Sequence, residues 1–258
     1  MKIATWNVNS IKVRLPQILQ WLEDHPVDVL CLQETKSTDQ NFPLEAIQAA
    51  GYTAVFTGQK TYNGVAILSR HKSVDIVKNN PLYQDEQQRI IAATINGIRI
   101  INAYVPNGQA IGSDKYNYKM QWLGALHDWV RQEMQEHESI ALLGDYNIAP
   151  EDRDVYDPAA WQDQILVSEA ERAAFSRLTQ LGLHDAFRLF DQPEKSYSWW
   201  DYRQMSFPRN LGLRIDHILL SENLTANCTA CYIDKTPRKW QQPSDHAPVI
   251  AEIRHSRL

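Results

Sequence analysis

The pair Asn96-Gly97, set between the apolar runs 90–95 and 98–105, constrains the fold more than any other stretch. A two-residue turn of this kind needs positive φ at both positions, which Asn and Gly tolerate, and it joins antiparallel strands. Runs of similar length recur along the chain. Residues 2–8, 27–34, 52–57, 64–69, 140–143, 213–220, 224–233 and 249–253 read as strands from apolar or alternating patterns. Helical spacing covers 13–24, where Leu15, Ile18, Leu19 and Leu22 form one stripe and Pro16 falls in the first turn. It also covers 43–50, 115–137 and 169–180. The stretch 150–168, dense in Asp and Pro, reads as a long functional loop. Hairpin signals outnumber strict strand–helix alternation, so the pattern predicts an α/β (α+β) fold of mostly antiparallel sheets with helices outside. No Pro/Gly/Ser linker or fixed-period repeat divides the 258 residues, and one domain spanning 1–258 is expected.

With 43% hydrophobic and 22% charged residues, the composition is that of a globular protein. No apolar run approaches the ~18 residues of a membrane span. Lys2-Ile3-Ala4-Thr5-Trp6 reads as a strand and not as an export signal, which implies a cytoplasmic protein. A net charge of −5 disfavours coating nucleic acid by bulk charge, but it allows an enzyme with a local basic rim around an acidic, metal-loaded centre. The sparse, odd set Cys31, Cys228 and Cys231 suits free thiols in a reducing compartment. Cys228-Thr229-Ala230-Cys231 has metal-ligand spacing, yet zinc needs a second pair. Strand residues three apart also face opposite sides, so neither a zinc nor a redox role is expected.

Strands end in, or carry near an end, Asn7, Glu34, Tyr104, Asp145 with Asn147, and Asp216, while Asp245-His246 opens the last strand. Each alone is an ordinary strand-flanking residue. Together they look like one face of a sheet assembly presenting a hard-cation site, because Mg²⁺ and Mn²⁺ prefer carboxylate, carbonyl and water oxygens.

The motifs Trp6-Asn7, Leu32-Gln33-Glu34-Thr35-Lys36, Gly144-Asp145-Tyr146-Asn147, Trp199-Trp200-Asp201-Tyr202-Arg203, Gly212-Leu213-Arg214-Ile215-Asp216 and Ser244-Asp245-His246-Ala247-Pro248 carry a resemblance. In order and rough spacing the chain resembles the exonuclease III family of apurinic/apyrimidinic endonucleases, within the DNase I-like endonuclease/exonuclease/phosphatase superfamily. The resemblance spans essentially the whole chain. It implies a four-layer α-β-β-α sandwich of two sheets flanked by helices, with the site at one edge. It also implies a monomeric DNA-repair enzyme that hydrolyses the phosphodiester 5′ to abasic sites in duplex DNA and has 3′-phosphodiesterase and 3′→5′ exonuclease activity on blocked 3′ ends.

Phosphodiester hydrolysis needs a positioned water, charge neutralisation on the phosphoryl oxygens and help for the leaving alkoxide. Glu34 is the expected direct Mg²⁺ ligand. Asn7, Asp245, Asp145 and Asn147 join it as ligands or as partners of ligands. Asp145 is expected to activate or orient the water. Asn147 would donate from its amide, and Tyr104 would contact the phosphate or protonate the leaving oxygen. Protonated His246 would donate to a phosphoryl oxygen with Asp216 orienting the ring. Whether Asp145 or the His246–Asp216 pair activates the water, and whether one metal or two take part, the sequence leaves open. By resemblance, Trp199, Leu213 and Ile215 form an apolar slot for an extruded base-less sugar. Asn107 stands where Gln is common. Lys12, Arg14, Lys60, Arg203, Arg209, Arg214 and the cluster Lys235-Thr236-Pro237-Arg238-Lys239 supply a candidate phosphate-contacting rim. The alternative reading is a superfamily phosphatase acting on inositol phosphate or phospholipid headgroup esters, which the Trp199–Arg203 and Gly212–Asp216 motifs disfavour. A catalytically dead nucleic-acid scaffold is disfavoured because every expected acid, base and ligand is present.

Overall fold

The computed structural model describes residues 1–254. In chain order the first half holds β1 (Lys2–Asn7), α1 (Ile11–Asp24), β2 (Val29–Gln33), α2 (Leu44–Ala49), β3 (Thr53–Thr57), β4 (Val65–Ser69), β5 (Val74–Lys78), β6 (Ile90–Ile95), β7 (Ile98–Tyr104), α3 (Asp114–Glu136) and β8 (Ile140–Asp145). The second half adds α4 (Pro158–Trp161), α5 (Glu169–Gln180), β9 (His184–Asp185), β10 (Trp199–Trp200), β11 (Gly212–Leu213), β12 (Asp216–Leu220), α6 (Glu222–Ala226), β13 (Cys228–Ile233) and β14 (Val249–Ile253). One sheet runs β13-β14-β1-β2-β4-β3 and the other β5-β6-β7-β8-β12-β9, with β10 and β11 forming a small ribbon. Pairing is antiparallel except for β1 with β2 and β7 with β8. The Asn96-Gly97 turn sets Ile95 opposite Ile98, with φ of 49° and 77° at the two turn residues.

Side-chain parity builds the layers. In β2, Val29 and Cys31 enter the core between the sheets, whereas Leu30 and Leu32 pack with Ile18, Trp21 and Ile47 of α1 and α2. In β8, Ala141 and Leu143 enter the inter-sheet core, and Ile140 and Leu142 pack with Trp122 and Leu126 of α3 and Phe175 of α5. Both faces of these strands are covered, which is why their sequences are apolar without alternation. Each leucine so buried contributes about 1.5–3 kcal/mol. The result is the expected α-β-β-α sandwich. Gly144 in β8 permits its closest approach: a Cβ there would stand 1.9 Å from the Ala103 carbonyl oxygen of β7.

Several boundaries differ from the sequence reading. Helix α1 starts at Ile11 because the Ser10 hydroxyl accepts the Val13 N–H, so Pro16 lies in the second turn. The strand expected over 213–220 is two strands. Between them the Arg214 N–H bonds to the Asp154 carbonyl, and Arg214 and Asp216 do not share a face. Residues 222–226 are helical, and β13 starts at Cys228. A bulge between Cys228 and Ala230 puts Cys228 opposite Ile253 and Cys231 opposite Ala251, so both thiols turn toward the inter-sheet core. That corrects the opposite-face expectation. Both are free thiols. The stretch 150–168 is not fully irregular, since it holds a 3-10 turn at Asp152–Asp154 and α4. Among the described residues no helix is long and apolar enough to cross a membrane.

Candidate active site

The two sheets bring together the ends of their central strands. Asn7 ends β1, and Glu34 follows β2 at φ 51°. Tyr104 and Asp145 end β7 and β8, and they are register partners. Asp216 opens β12 directly opposite Asp145. His246 precedes β14 and pairs by a single bridge with Trp199. Parallel pairing of β1 with β2 and of β7 with β8 is what carries these ends to one edge.

Hydrogen bonds fix the side chains. Asn7 Nδ2 donates to Glu34 Oε1 and to Asp145 Oδ2, both at 2.9 Å, so it spans the two sheets. The Tyr104 hydroxyl donates to Glu34 Oε1 at 2.8 Å. His246 Nδ1 lies 2.8 Å from Asp216 Oδ2, and its Nε2 lies 3.6 Å from Asp145 Oδ2. Asn147, at φ 47°, gives its backbone N–H to Asp145 Oδ1 and its Nδ2 to the Val105 carbonyl. Backbone supports complete the set. Trp6 Nε1 donates to the His246 carbonyl at 3.2 Å, the Ser244 hydroxyl donates to the Asn7 carbonyl at 2.6 Å, and Ser198 Oγ accepts the N–H groups of Ile215 and Asp216.

The charges are mutually dependent. Burial alone would depress the His246 imidazolium, but Asp216 and Asp145 beside it hold its pKa well above the ordinary histidine value. Burial pushes Asp145 up to about 7. The positive His246 and the Asn7 hydrogen bond oppose that rise, and the negative Asp216 adds to it. Glu34 is also driven up by burial, yet Asn7, His246, Tyr104 and Lys36 bring it below its usual value. The site therefore holds a charged imidazole between two carboxylates, one of them poised near neutrality.

Glu34, Asp145 and His246 place ligand atoms within 4.8 Å of one another. The two carboxylates of the trio fit a hard cation, whereas the protonated His246 ring has no free lone pair to give one. One Glu34 oxygen is held by Asn7 and Tyr104, while among the described residues the other has only Lys36 Nζ, at 3.5 Å. Among the described residues Asp216 Oδ1 is buried with no hydrogen-bond partner. Asp245 adjoins this trio, and its negative charge adds to the raised pKa of His246. Its neighbour His246 turns toward Asp145 and Asp216, whereas Asp245 Oδ2 accepts from Trp199 Nε1 at 3.1 Å.

Leu213 and Ile215 are buried in a satellite cluster with Ala149, Val155 and Leu166, against half-buried Trp199. Asn107 is exposed, and its side chain caps the Gln109 N–H. Arg203, also exposed, forms an ion pair with Asp201 at 2.8 Å. Arg214 corrects the sequence reading, because it is not part of a phosphate-facing rim. It is 1% exposed, and its guanidinium is consumed by Asp154, Asp185 and His217. Arg14 and Arg238 likewise turn inward, donating to the carbonyls of Pro243 and Ser244. Lys12, Lys60, Arg209, Lys235 and Lys239 remain exposed.

The sequence matches the endonuclease/exonuclease/phosphatase family over residues 4–246. The chain belongs to that family. Within it the chain is 34% identical to exodeoxyribonuclease III of Haemophilus influenzae, over 98% of this chain and 100% of that protein, and membership of this branch makes it a nuclease. Two solved structures superpose closely. A 3′ phosphatase, NExo from Neisseria, bound to product DNA hairpin, has a TM-score of 0.97 and 49% identity, covering 99% of this chain and 100% of that one. An AP endonuclease from Archaeoglobus fulgidus has a TM-score of 0.95 and 38% identity, covering 98% and 99%.

Proposed function

We propose that this family member hydrolyses phosphate esters of duplex DNA at abasic sites and at blocked 3′ ends, with Mg²⁺ as cofactor and Mn²⁺ able to replace it. The observation that carries the reading is His246 set between Asp216 and Asp145, with the Glu34 carboxylate beside them. Two lines support the substrate class: the 49% identity to a 3′ phosphatase bound to a DNA product, and the 38% identity to an AP endonuclease.

Glu34 would hold Mg²⁺, with Asp145 adjoining and Asn7 fixing both carboxylates. The ion, when bound, supplies Lewis-acid stabilisation of charge on the phosphoryl oxygens. The remaining steps belong to the chain. His246, kept protonated by its two carboxylates, donates from Nε2 to a phosphoryl oxygen, and Asp216 fixes the ring through Nδ1. Asp145, with its pKa near 7, takes the proton of the attacking water. The Tyr104 hydroxyl, anchored on Glu34, reaches the phosphate or the leaving oxygen, and the second N–H of the Asn147 amide donates to the phosphate. The ring of Trp199, held by Asp245, faces the sugar with Leu213 and Ile215 behind it.

The test is one labelled duplex carrying an internal abasic analogue and a 3′ phosphate, incubated with Mg²⁺, with Mn²⁺ and with chelator. Product lengths should report incision and 3′-end trimming with either metal and neither with chelator. Cleavage that persists in chelator, or turnover confined to a soluble inositol phosphate ester, would defeat the proposal.

A further inference from the structure

Two helices carry charges on their apolar stripes: α3 has Lys119 near its start and Glu133, paired with Arg99, near its end, and α5 has Glu171. Lys119 of α3 precedes Trp122, Leu123 and Leu126 by three, four and seven residues, and Glu171 of α5 precedes Ala174, Phe175 and Leu178 in the same way. Both side chains are 0% exposed and form an ion pair. Lys119 Nζ donates to the Glu171 carboxylate, to the Asn147 carbonyl at 2.7 Å and to the Asn107 carbonyl at 3.2 Å. Glu171 also accepts the N–H groups of Leu166 and Ser168 and the Ser168 hydroxyl.

An apolar pair of similar volume would fill this space at no desolvation cost, so a buried ion pair is weak evidence of stability alone. The charges are satisfied by loop backbone. The Lys119 bonds end on the turn that follows Asp145 and on the 107 loop, and the Glu171 bonds end on the 166–168 segment. Two of the residues so held have positive φ: Asn147 at 47° and Leu166 at 77°. For a branched side chain such as Leu166 that conformation is costly and persists only when its surroundings over-determine it. Leu166 packs with Leu213, Ile215 and Trp199, the apolar group beside the site.

We propose that Lys119 and Glu171 are a positioning pair, fixing the distance between the Asp145–Asn147 turn and the Leu166 wall and so the placement of the scissile phosphate relative to the sugar. Neither touches substrate. The inference rests on the nuclease reading above. A shift near 1 Å at the turn costs ~10²-fold in rate while leaving the strand contacts in place.

The experiment compares wild type, the double variant Lys119→Met/Glu171→Leu, and Glu171→Asp. The last keeps both charges but withdraws the carboxylate by one methylene from the Leu166 and Ser168 N–H groups. Thermal melting and steady-state kinetics on a 3′-phosphorylated duplex in Mg²⁺ are read well below the transition. The expected result is a loss in kcat of ~10-fold or more in Glu171→Asp and of ~30-fold or more in the double variant, with KM within ~3-fold of wild type. A purely structural pair would shift the melting curve and leave kcat of the folded protein unchanged, which overturns the proposal. If the double variant does not fold, wild-type kcat in folded Glu171→Asp overturns it equally. Inactive wild type would instead refute the nuclease reading itself.

Discussion

Replacing Arg214 by Met separates a structural arginine from a DNA-contacting one. In the structure Arg214 Nε donates to Asp154 Oδ1 at 2.7 Å, and its terminal nitrogens reach Asp185 at 2.8 and 3.3 Å and His217 Nδ1 at 3.1 Å. Methionine fills most of the volume and removes the charge. Asp154 keeps Arg188, but Asp185 is left beside the site of a missing cation. Breaking one side of a buried ion pair costs about 3–5 kcal/mol. For a chain of this size each kcal/mol lowers Tm by about 2–4 °C, so the expected fall is about 6–20 °C. An arginine on a phosphate would behave differently, since its loss would reduce the slope of log affinity against log salt by about one. Calorimetry gives the first quantity, and fluorescence anisotropy of a labelled duplex across a salt series at low temperature gives the second. The expected outcome is a large Tm loss with the salt slope unchanged. A Tm within about 2 °C of wild type, together with a slope reduced by one, would refute the structural assignment.

Other consequences follow from the same network. His217 is fully buried, and desolvation with help from Arg214 lowers its pKa from 6.5 to about 4. The unfolded chain therefore takes up a proton that the native state refuses. Stability is complete above pH 6.5 and is lost as pH falls from 6.5 towards 4, by about 3 kcal/mol. Urea melts of wild type and His217→Gln across that window should converge towards acid, and parallel curves would count against the argument. Gly144→Ala should cost about 1–3 kcal/mol by forcing β7 and β8 apart, read from the shift in urea midpoint, because its Cβ has no space beside the Ala103 carbonyl. Asp216→Asn should lower the His246 pKa, seen by NMR titration, and reduce kcat by about 10²-fold. An unmoved imidazole resonance would show that Asp216 does not orient and charge the ring.

Much of this site was legible in the sequence because sheet burial leaves a strong mark. Strands β2 and β8 are covered on both faces, so their apolar runs are unbroken and the carboxylates Glu34 and Asp145 stand out at their ends. Edge strand β5 is mostly exposed, so its sequence carries no such pattern. The break at 214–215 was hidden because Leu213, Arg214, Ile215 and Asp216 mimic strand alternation. The departure is caused by ion pairs with residues 29 and 60 positions away, which no local pattern encodes. Lys119 and Glu171 did leave a signal: a charged residue at the buried position of an amphipathic helix. Ser198 left none, because its value lies in accepting two N–H groups of a strand start that only the fold brings near.

Under the proposed function Asp145, His246 and Glu34 together hydrolyse a DNA phosphate ester. The most direct measurement is single-turnover cleavage of a 3′-phosphorylated duplex in Mg²⁺ by wild type and Asp145→Asn, with circular dichroism confirming that both are folded. The expected result is a loss of about 10³-fold or more in the variant at unchanged secondary structure. Near-wild-type cleavage by folded Asp145→Asn would contradict the proposed function.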